Sequence, residues 1–429
     1  MRLKSISKRV LLSALLMAAL AALAVAQGPV RREPPERQGG VWSEELKCNS
    51  ALPNGERLTL RADGGSIRVR TGPGGLIRCV VTLRDYTPSA AQARQYFSAY
   101  RLSLRPAPSG VLLAGAGASH SKSQSAQYDL TVPSQCSLDL QTQAGDITVS
   151  DRLSGALQAT TAGGDIRIRG AAGPVEVTTA GGNIVLGNIG GPVRAKTAGG
   201  GIRIGNVNGN ATAATSGGNI QVGHVEGTAR LKTAGGDVAL LGATGAVQAK
   251  TSSGQIHIGE TEASVRAAAV GGSVRIEGAR GRVSVETNGG SIDLLQVRGP
   301  VRAQTSAGSI VAQIATTRKI FGASSLRTAT GDVRVYLPPT LPVTIDAAIA
   351  SAGGHKIVSD FPLQIQGSRP AFAPSTVRGR GALNGGGGLL KIRCTGGNIE
   401  ILKLDSEILR QFKAQQAAFW KRWQEQVQH

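Results

Sequence analysis

Across the middle of the chain, apolar and small residues fall on alternate positions in short bursts, as in Ile184-x-Leu186, then Ile189, then Val193-x-Ala195-x-Thr197. A two-residue rhythm places those side chains on one face of extended strands, and no helical spacing fits it. Between the bursts stand Gly-Gly-Asn, Gly-Gly-Asp and Gly-Asn-Ile-Gly-Gly-Pro, residues that accept positive φ or preset a turn. Each burst pair therefore reads as two short strands joined by two tight turns.

The pattern recurs. One slot is filled by Thr142, Thr161, Thr179, Thr197, Thr215, Thr233, Thr251, Ala269, Thr287 and Thr305, with a first step of 19 residues and 18 thereafter. A fixed short period predicts a solenoid, in which each repeat buries its apolar edge only against its neighbours. The predicted fold is an all-β, single-stranded β-solenoid, parallel β-helix-like, with 18-residue coils. Parallel stacking at about 4.8 Å gives a rod of about 43 Å from Thr142 to Thr305. Its interior is thin, because the second-strand positions are so often Ala or Thr. The Thr ladder at 161, 179, 197, 215, 233, 251, 287 and 305 reads as structural: a β-branched residue suits a strand and its hydroxyl can bond the Gly-Gly backbone.

The flanks divide the chain further. Residues 1–26 have a basic start (Arg2, Lys4, Lys8, Arg9), an apolar run, and Ala24 and Ala26 before a cleavage point, the pattern of a secretory signal peptide. An uncleaved anchor is the alternative. Residues 27–43 read as a flexible Pro/Gly/Arg-rich tether. Residues 44–141 read as an irregular start of the solenoid, with "ADGGSIRV" at 62–69 as a first copy of the phrase and a short helix near 89–100 capped by Thr87 or Ser89. The regular coils fill 142–312. Irregular coils follow over 313–404, with "TATGDVRV" at 328–335 and "CTGGNIEI" at 394–401 closing the array. Residues 405–429 form an amphipathic helix with Ile408, Phe412, Phe419, Trp423 and Val427 on one face, a cap for the open end or a docking element for a protein or membrane partner.

Charge and cysteine usage sharpen the picture. The chain carries 48 Lys and Arg against 27 Asp and Glu; without the signal segment, 44 basic residues remain. Such an excess favours anionic partners without naming one. Export places Cys48, Cys79, Cys136 and Cys394 where disulfides persist. Cys136 and Cys394 point inward at opposite ends of a continuous rod, too far apart to bridge, so Cys48 with Cys79 is the preferred pair. Four buried free thiols are the alternative.

Several stretches together resemble a bacterial family, the "putative adhesin" domain, a β-solenoid long catalogued as a domain of unknown function. They are "YDLTVPSQCSLDLQTQAGDITV" (128–149), the Thr-x-Gly-Gly-[Asp/Asn]-Ile coils, "TGDVRVYLP" (330–338), "SDFPL" (359–363) and "GALNGGGGLLKIRCTGGNIEIL" (381–402). The resemblance implies a solenoid of the cell envelope and supplies no catalytic residues.

Chemistry is sparse. Carbohydrate-active β-helix enzymes need aromatic platforms and closely placed carboxylates, and no aromatic lies between Tyr128 and Phe321. Asp146, Asp165 and Asp237 share a turn slot with Asn183, Gly201, Asn219, Gln255 and Ser273, so that slot makes a turn. His120, His224, His257 and His355 have no metal spacing and read as exposed polar residues; no Cys-x-x-Cys or phosphate loop occurs. No metal or cofactor is called for. One feature stands out: on the second strand the outward positions carry Arg194, Lys196, Arg230, Lys232, Lys250, Arg266 and Arg302, with Arg327 after an insertion, opposed on that face only by Glu176 and Glu286. Cations in such a row suit anionic envelope glycans or lipid head groups. Without interleaved aromatics, nucleic acid is disfavoured.

These readings converge on a non-enzymatic, exported envelope binding or structural module located in the periplasm, on the cell surface or outside the cell. Two alternatives stand beside it: a β-helix carbohydrate-active enzyme built on segments 311–330 and 337–380, and an envelope-stress scaffold that docks a membrane partner through 405–429.

Overall fold

The computed structural model describes residues 30–117, 123–316, 322–368 and 375–405, together with residues 407, 408, 410, 412, 414 and 417. The predicted signal segment, His120, and Phe419, Trp423 and Val427 of the C-terminal helix lie outside these. The chain forms two compact units, Met1–Thr179 and Ala180–His429. No helix among the described residues is long and apolar enough to cross a membrane.

In the first unit, the phrase at 62–69 lies inside the stack, its strand paired in parallel on both edges: Ser66–Gly72 meets Ile147–Leu153 on one side and Gln124–Pro133 on the other. Arg57–Ala62 pairs in parallel with Ser137–Thr142. An antiparallel layer is added beside them: Val41–Ala51 pairs with Leu76–Asp85, which pairs with Gln124–Pro133. The helix runs Ala90–Ala99, and the Ser89 hydroxyl accepts a hydrogen bond from the Gln92 backbone.

The tether reading fails from residue 30 onward. Arg31–Arg32 and Glu36–Gln38 pair with Val41–Ala51. The Arg32 guanidinium donates to the Phe97 and Tyr100 carbonyls at 2.8 and 2.6 Å and lies 3.2 Å from Glu44. A cation on the last carbonyls of a helix is favourably placed against its dipole, which gives this Pro-rich segment a partner its composition does not announce.

In the second unit each coil contributes one strand to each of two facing parallel sheets. Val193–Lys196 pairs with Ala211–Ala214, and the two strands after those, Ile202–Ile204 and Ile220–Val225, pair with each other, both at an offset of 18 residues. Val193, Ala195, Ile202 and Ile204 are buried and Arg194 and Lys196 exposed, as the alternation requires. The Thr ladder clamps successive coils. Thr251 Oγ1 donates to the Gly236 carbonyl of the preceding coil at 2.9 Å and accepts from the Gly254 N–H of its own turn at 3.2 Å. The same arrangement recurs at Thr197, Thr215, Thr233 and Thr287. The turn slot is a second clamp: the side-chain oxygens of Asn219, Asp237 and Ser273 each accept from the backbone N–H one coil on.

At Ala269 the hydroxyl is missing. Ala269→Thr should supply it and stabilise the second unit by about 1 kcal/mol, whereas Thr251→Val removes the hydroxyl partner of the half-buried Gly236 carbonyl and should cost about 1–2 kcal/mol. Urea unfolding of both variants beside the parent checks the pair.

The far coils depart from the order expected. Ser324–Thr330 pairs with Val301–Ala307 and, on its other edge, with Gly388–Gly396; that strand in turn pairs with Val343–Ile349. The coil containing Cys394 is therefore inserted between two earlier coils and does not close the array. Cys394 still takes the Thr role, its thiol 3.3 Å from the Gly331 carbonyl. Beyond it, Asp405 accepts from the Glu407 and Ile408 backbones as the helix cap. Phe412 meets Tyr336 edge-on with centroids 5.7 Å apart.

Candidate functional site

The parallel register aligns the outward residues of the second-strand sheet into columns. One column reads Arg194, Thr212, Arg230, Gln248, Arg266, Ser284, Arg302, so arginine alternates with a neutral residue at every coil. Like charges are held two coils, or about 9.6 Å, apart. Beside it runs Lys196, Ala214, Lys232, Lys250, Ala268, Glu286, Gln304. Arg194, Lys196, Arg230, Lys232, Lys250, Arg266 and Arg302 are all exposed. No described acid forms an ion pair with Arg230, Lys232, Lys250, Arg266 or Arg302. Glu286 is the one acid on this face between 193 and 304, while Glu176 belongs to the first unit.

Between Arg230 and Arg266 the face is hollowed. A depression of about 310 Å³ lies over Ala246 and Gln248, with Thr228, Ser264 and Ser284 around it and Arg282 at one end. It exists because the coil carrying Ala246 and Gln248 presents short side chains between two coils that present arginine.

The row continues past the insertion, but its alternation is lost there. Arg327 falls beside Gln304, and Lys391 and Arg393 come next because of the inserted coil. Arg393 is engaged by Asp346, whose carboxyl that hydrogen bond holds below the usual range. Sequence reading missed Lys391 and Arg393, although the inward parity of Leu390, Ile392 and Cys394 was a usable signal.

The outer face of the other sheet differs. His257, Arg275 and Asp293 stack in one register column. Glu277 beside them is fully buried, accepting from Arg275 at 2.7 Å and lying 2.9 Å from His257. His257 is thus paired and largely buried, not exposed as its isolation in the sequence suggests; His224 is exposed. Burial works to raise the Glu277 carboxyl, yet hydrogen bonds from His257 and Arg275 outweigh it and hold the group low. Asp293 is raised, chiefly by burial, which the more distant Arg275 does not offset.

The two carboxylates therefore act on stability with opposite sign. Glu277 stabilises above the ordinary Glu value and loses that contribution as pH falls through its lowered one. Asp293 costs stability once ionised, so the penalty is complete above its raised value. At neutral pH, Asp293→Asn should raise the unfolding free energy and Glu277→Gln should lower it by about 2 kcal/mol; melting at pH 7 and pH 4 reads both signs. Among the described residues no group of His, Cys, Asp and Glu is arranged to hold a metal ion.

Stacked coils, a hydroxyl ladder and parallel register define a β-solenoid. The model of the Toastrack family, Toastrack DUF4097, matches residues 112–279 and 231–364, more than half of the chain, and the chain belongs to that family. The resemblance read from the coil phrases is borne out. No curated protein matches the sequence significantly. Among solved structures, a putative cell adhesion protein from Clostridium sporogenes is similar at 8% identity, with 86% of this chain and 100% of that one covered and a TM-score of 0.16. A putative adhesin from Bacteroides fragilis is similar at 11% identity, with 83% and 97% covered and a TM-score of 0.21. Superpositions this loose transfer no function.

Proposed function

We propose that this protein is an exported, non-enzymatic binding or structural module of the cell envelope that engages anionic envelope polymers through the basic face of the second unit. The observation that carries the reading is the arginine column: Arg230, Arg266 and Arg302 project from a flat parallel sheet without a described acidic partner. Guanidinium groups with no internal partner are available to carboxylates or phosphates, and such contacts weaken with salt. An enzymatic role finds little support, because the turn acids are committed to clamping coils and Glu277 to His257 and Arg275. The seating of Phe412 against Tyr336 favours the C-terminal helix as part of the solenoid's own packing over a free docking element.

The test is binding of the purified protein to anionic and neutral glycans and to anionic lipid vesicles at low and moderate salt. Changing Arg230, Arg266 and Arg302 together to Gln should weaken polyanion binding at least tenfold at low salt, since each charge-assisted contact is worth about 1.5 kcal/mol or more. Equal binding by parent and variant ends the reading.

A further inference from the structure

The arginine column is periodic, and a periodic receptor selects a periodic ligand. Its charges recur every second coil, about 9.6 Å, because Thr212, Gln248 and Ser284 interrupt it at each intervening one. A duplex nucleic-acid strand carries phosphates far more densely, about every 3.4 Å along its axis. A polyuronate with a carboxylate on every sugar also repeats too often. Two β-linked sugars end to end span a length comparable to the two-coil step, so a polysaccharide with one carboxylate per disaccharide places each charge at an arginine and a neutral sugar between them.

The hollow lies where that neutral sugar falls. It occupies the interval between Arg230 and Arg266, with Arg282 at one end, and Gln248, Ser264, Ser284 and Thr228 around it offer the amide and hydroxyl groups that pair with sugar hydroxyls. Ala246 leaves room for a ring. The Lys232 and Lys250 column runs alongside, one strand pair of residues away, and lines one flank of the track.

We infer that the basic face is a linear track for an acidic polysaccharide with one carboxylate per disaccharide, its uronates on Arg230, Arg266 and Arg302 and a neutral sugar seated over Ala246 and Gln248. This rests on the proposed reading of that face as the contact surface. Lys232 and Lys250 stand on successive coils, so only the guanidinium groups, which hold a carboxylate in their planar fork, carry the two-coil spacing; the track selects by that spacing and discriminates against polymers of higher charge density.

The test compares three probes on the full-length protein at equal carboxylate concentration: hyaluronan, with one carboxylate per disaccharide; polygalacturonate, with one per sugar; and dextran, with none. Hyaluronan is expected to bind at least tenfold more tightly than polygalacturonate, and dextran not to bind. Ala246→Leu fills the hollow without touching a charge on an exposed site, and should cost hyaluronan about tenfold while leaving polygalacturonate unchanged. Gln248→Arg halves the charge spacing and should narrow or reverse the preference. Stronger binding of polygalacturonate, with Ala246→Leu silent on both polymers, overturns the spacing inference while leaving a basic contact face intact. Failure of both polymers to bind, unchanged in the triple Gln variant, overturns the face itself.

Discussion

Gly254→Ala should be among the most damaging single-methyl changes available in this protein, costing about 4 kcal/mol or more and splitting the unfolding of the second unit into two transitions. A Cβ on Gly254 would lie 2.0 Å from the Gly236 carbonyl oxygen, 2.4 Å from its carbon and 2.7 Å from the Asp237 nitrogen. All three are backbone atoms of the preceding coil. They cannot withdraw, because the same Gly236 oxygen accepts the Thr251 hydroxyl and Asp237 bonds onward to Gln255. Gly254 is not among the residues with positive φ, so the requirement is close approach between coils and not backbone freedom. Gly271, the first glycine of the pair in the next coil and the counterpart of Ser253, provides the contrast: its nearest atom is 3.7 Å from the built Cβ. Gly271→Ala should be neutral or stabilise by up to about 1 kcal/mol. In a stack where each coil contacts only its neighbours, a broken interface separates the coils on either side, which is why a second transition at lower urea is the expected signature. A single cooperative transition with an unchanged midpoint would mean that the turns are looser than their geometry indicates.

That asymmetry between the two turn positions, repeated within the Gly271–Gly272 pair itself at 3.7 against 1.8 Å, was not legible in the sequence, although the turn phrase was. The period, the two strands per coil and the inward Thr slot all follow from a spacing of 18 residues, because parallel stacking in register allows only one alignment of identical phrases. Which glycine touches the coil below depends on the turn's path. The inserted coil shows a different limit. "CTGGNIEI" reads as the last copy in the chain, but pairing strength depends on neighbours in space, and the edge of Ser324–Thr330 accepts Gly388–Gly396 before Val343–Ile349. Cys394 kept its inward role because parity survives such a rearrangement, and its position along the stack did not. The Arg32 contacts failed to show for a similar reason: a Pro-rich segment without apolar residues was given no partner, while the helix it meets lies some 65 residues away. Likewise, His257, Arg275 and Glu277 look scattered until an 18-residue step brings the first two side by side. The arginine column was visible outright, since outward residues at a fixed period need no folding information beyond the period. The hollow between its members needed the side chains of the neighbouring coils.

Loss of the Cys48–Cys79 bond should destabilise the first unit by about 3 kcal/mol while leaving the second unchanged. The two cysteines face one another directly in the antiparallel pairing of Val41–Ala51 with Leu76–Asp85, with α-carbons 5.0 Å apart and a separation of 31 positions in sequence. Closing a loop of that length removes conformations from the unfolded chain, and the benefit falls on a strand with weak support elsewhere: among the described residues, beyond Leu76–Asp85, Val41–Ala51 is paired only by the short strands Arg31–Arg32 and Glu36–Gln38. The double variant Cys48→Ala, Cys79→Ala should therefore unfold its first unit at lower urea, and dithiothreitol should produce the same shift in the parent but none in the variant. Cys136 and Cys394 provide the internal control. Both are free and buried, and burial pushes the Cys136 thiol up to about 11, so neither is poised to react while folded. Titration of the unfolded, unreduced protein should count two thiols and not four. Four thiols, with no effect of reductant on unfolding, would show that the pair stays reduced in the protein as purified. The antiparallel layer would then depend on its hydrogen bonds and apolar packing alone, and the argument for an oxidising compartment would lose its chemical support.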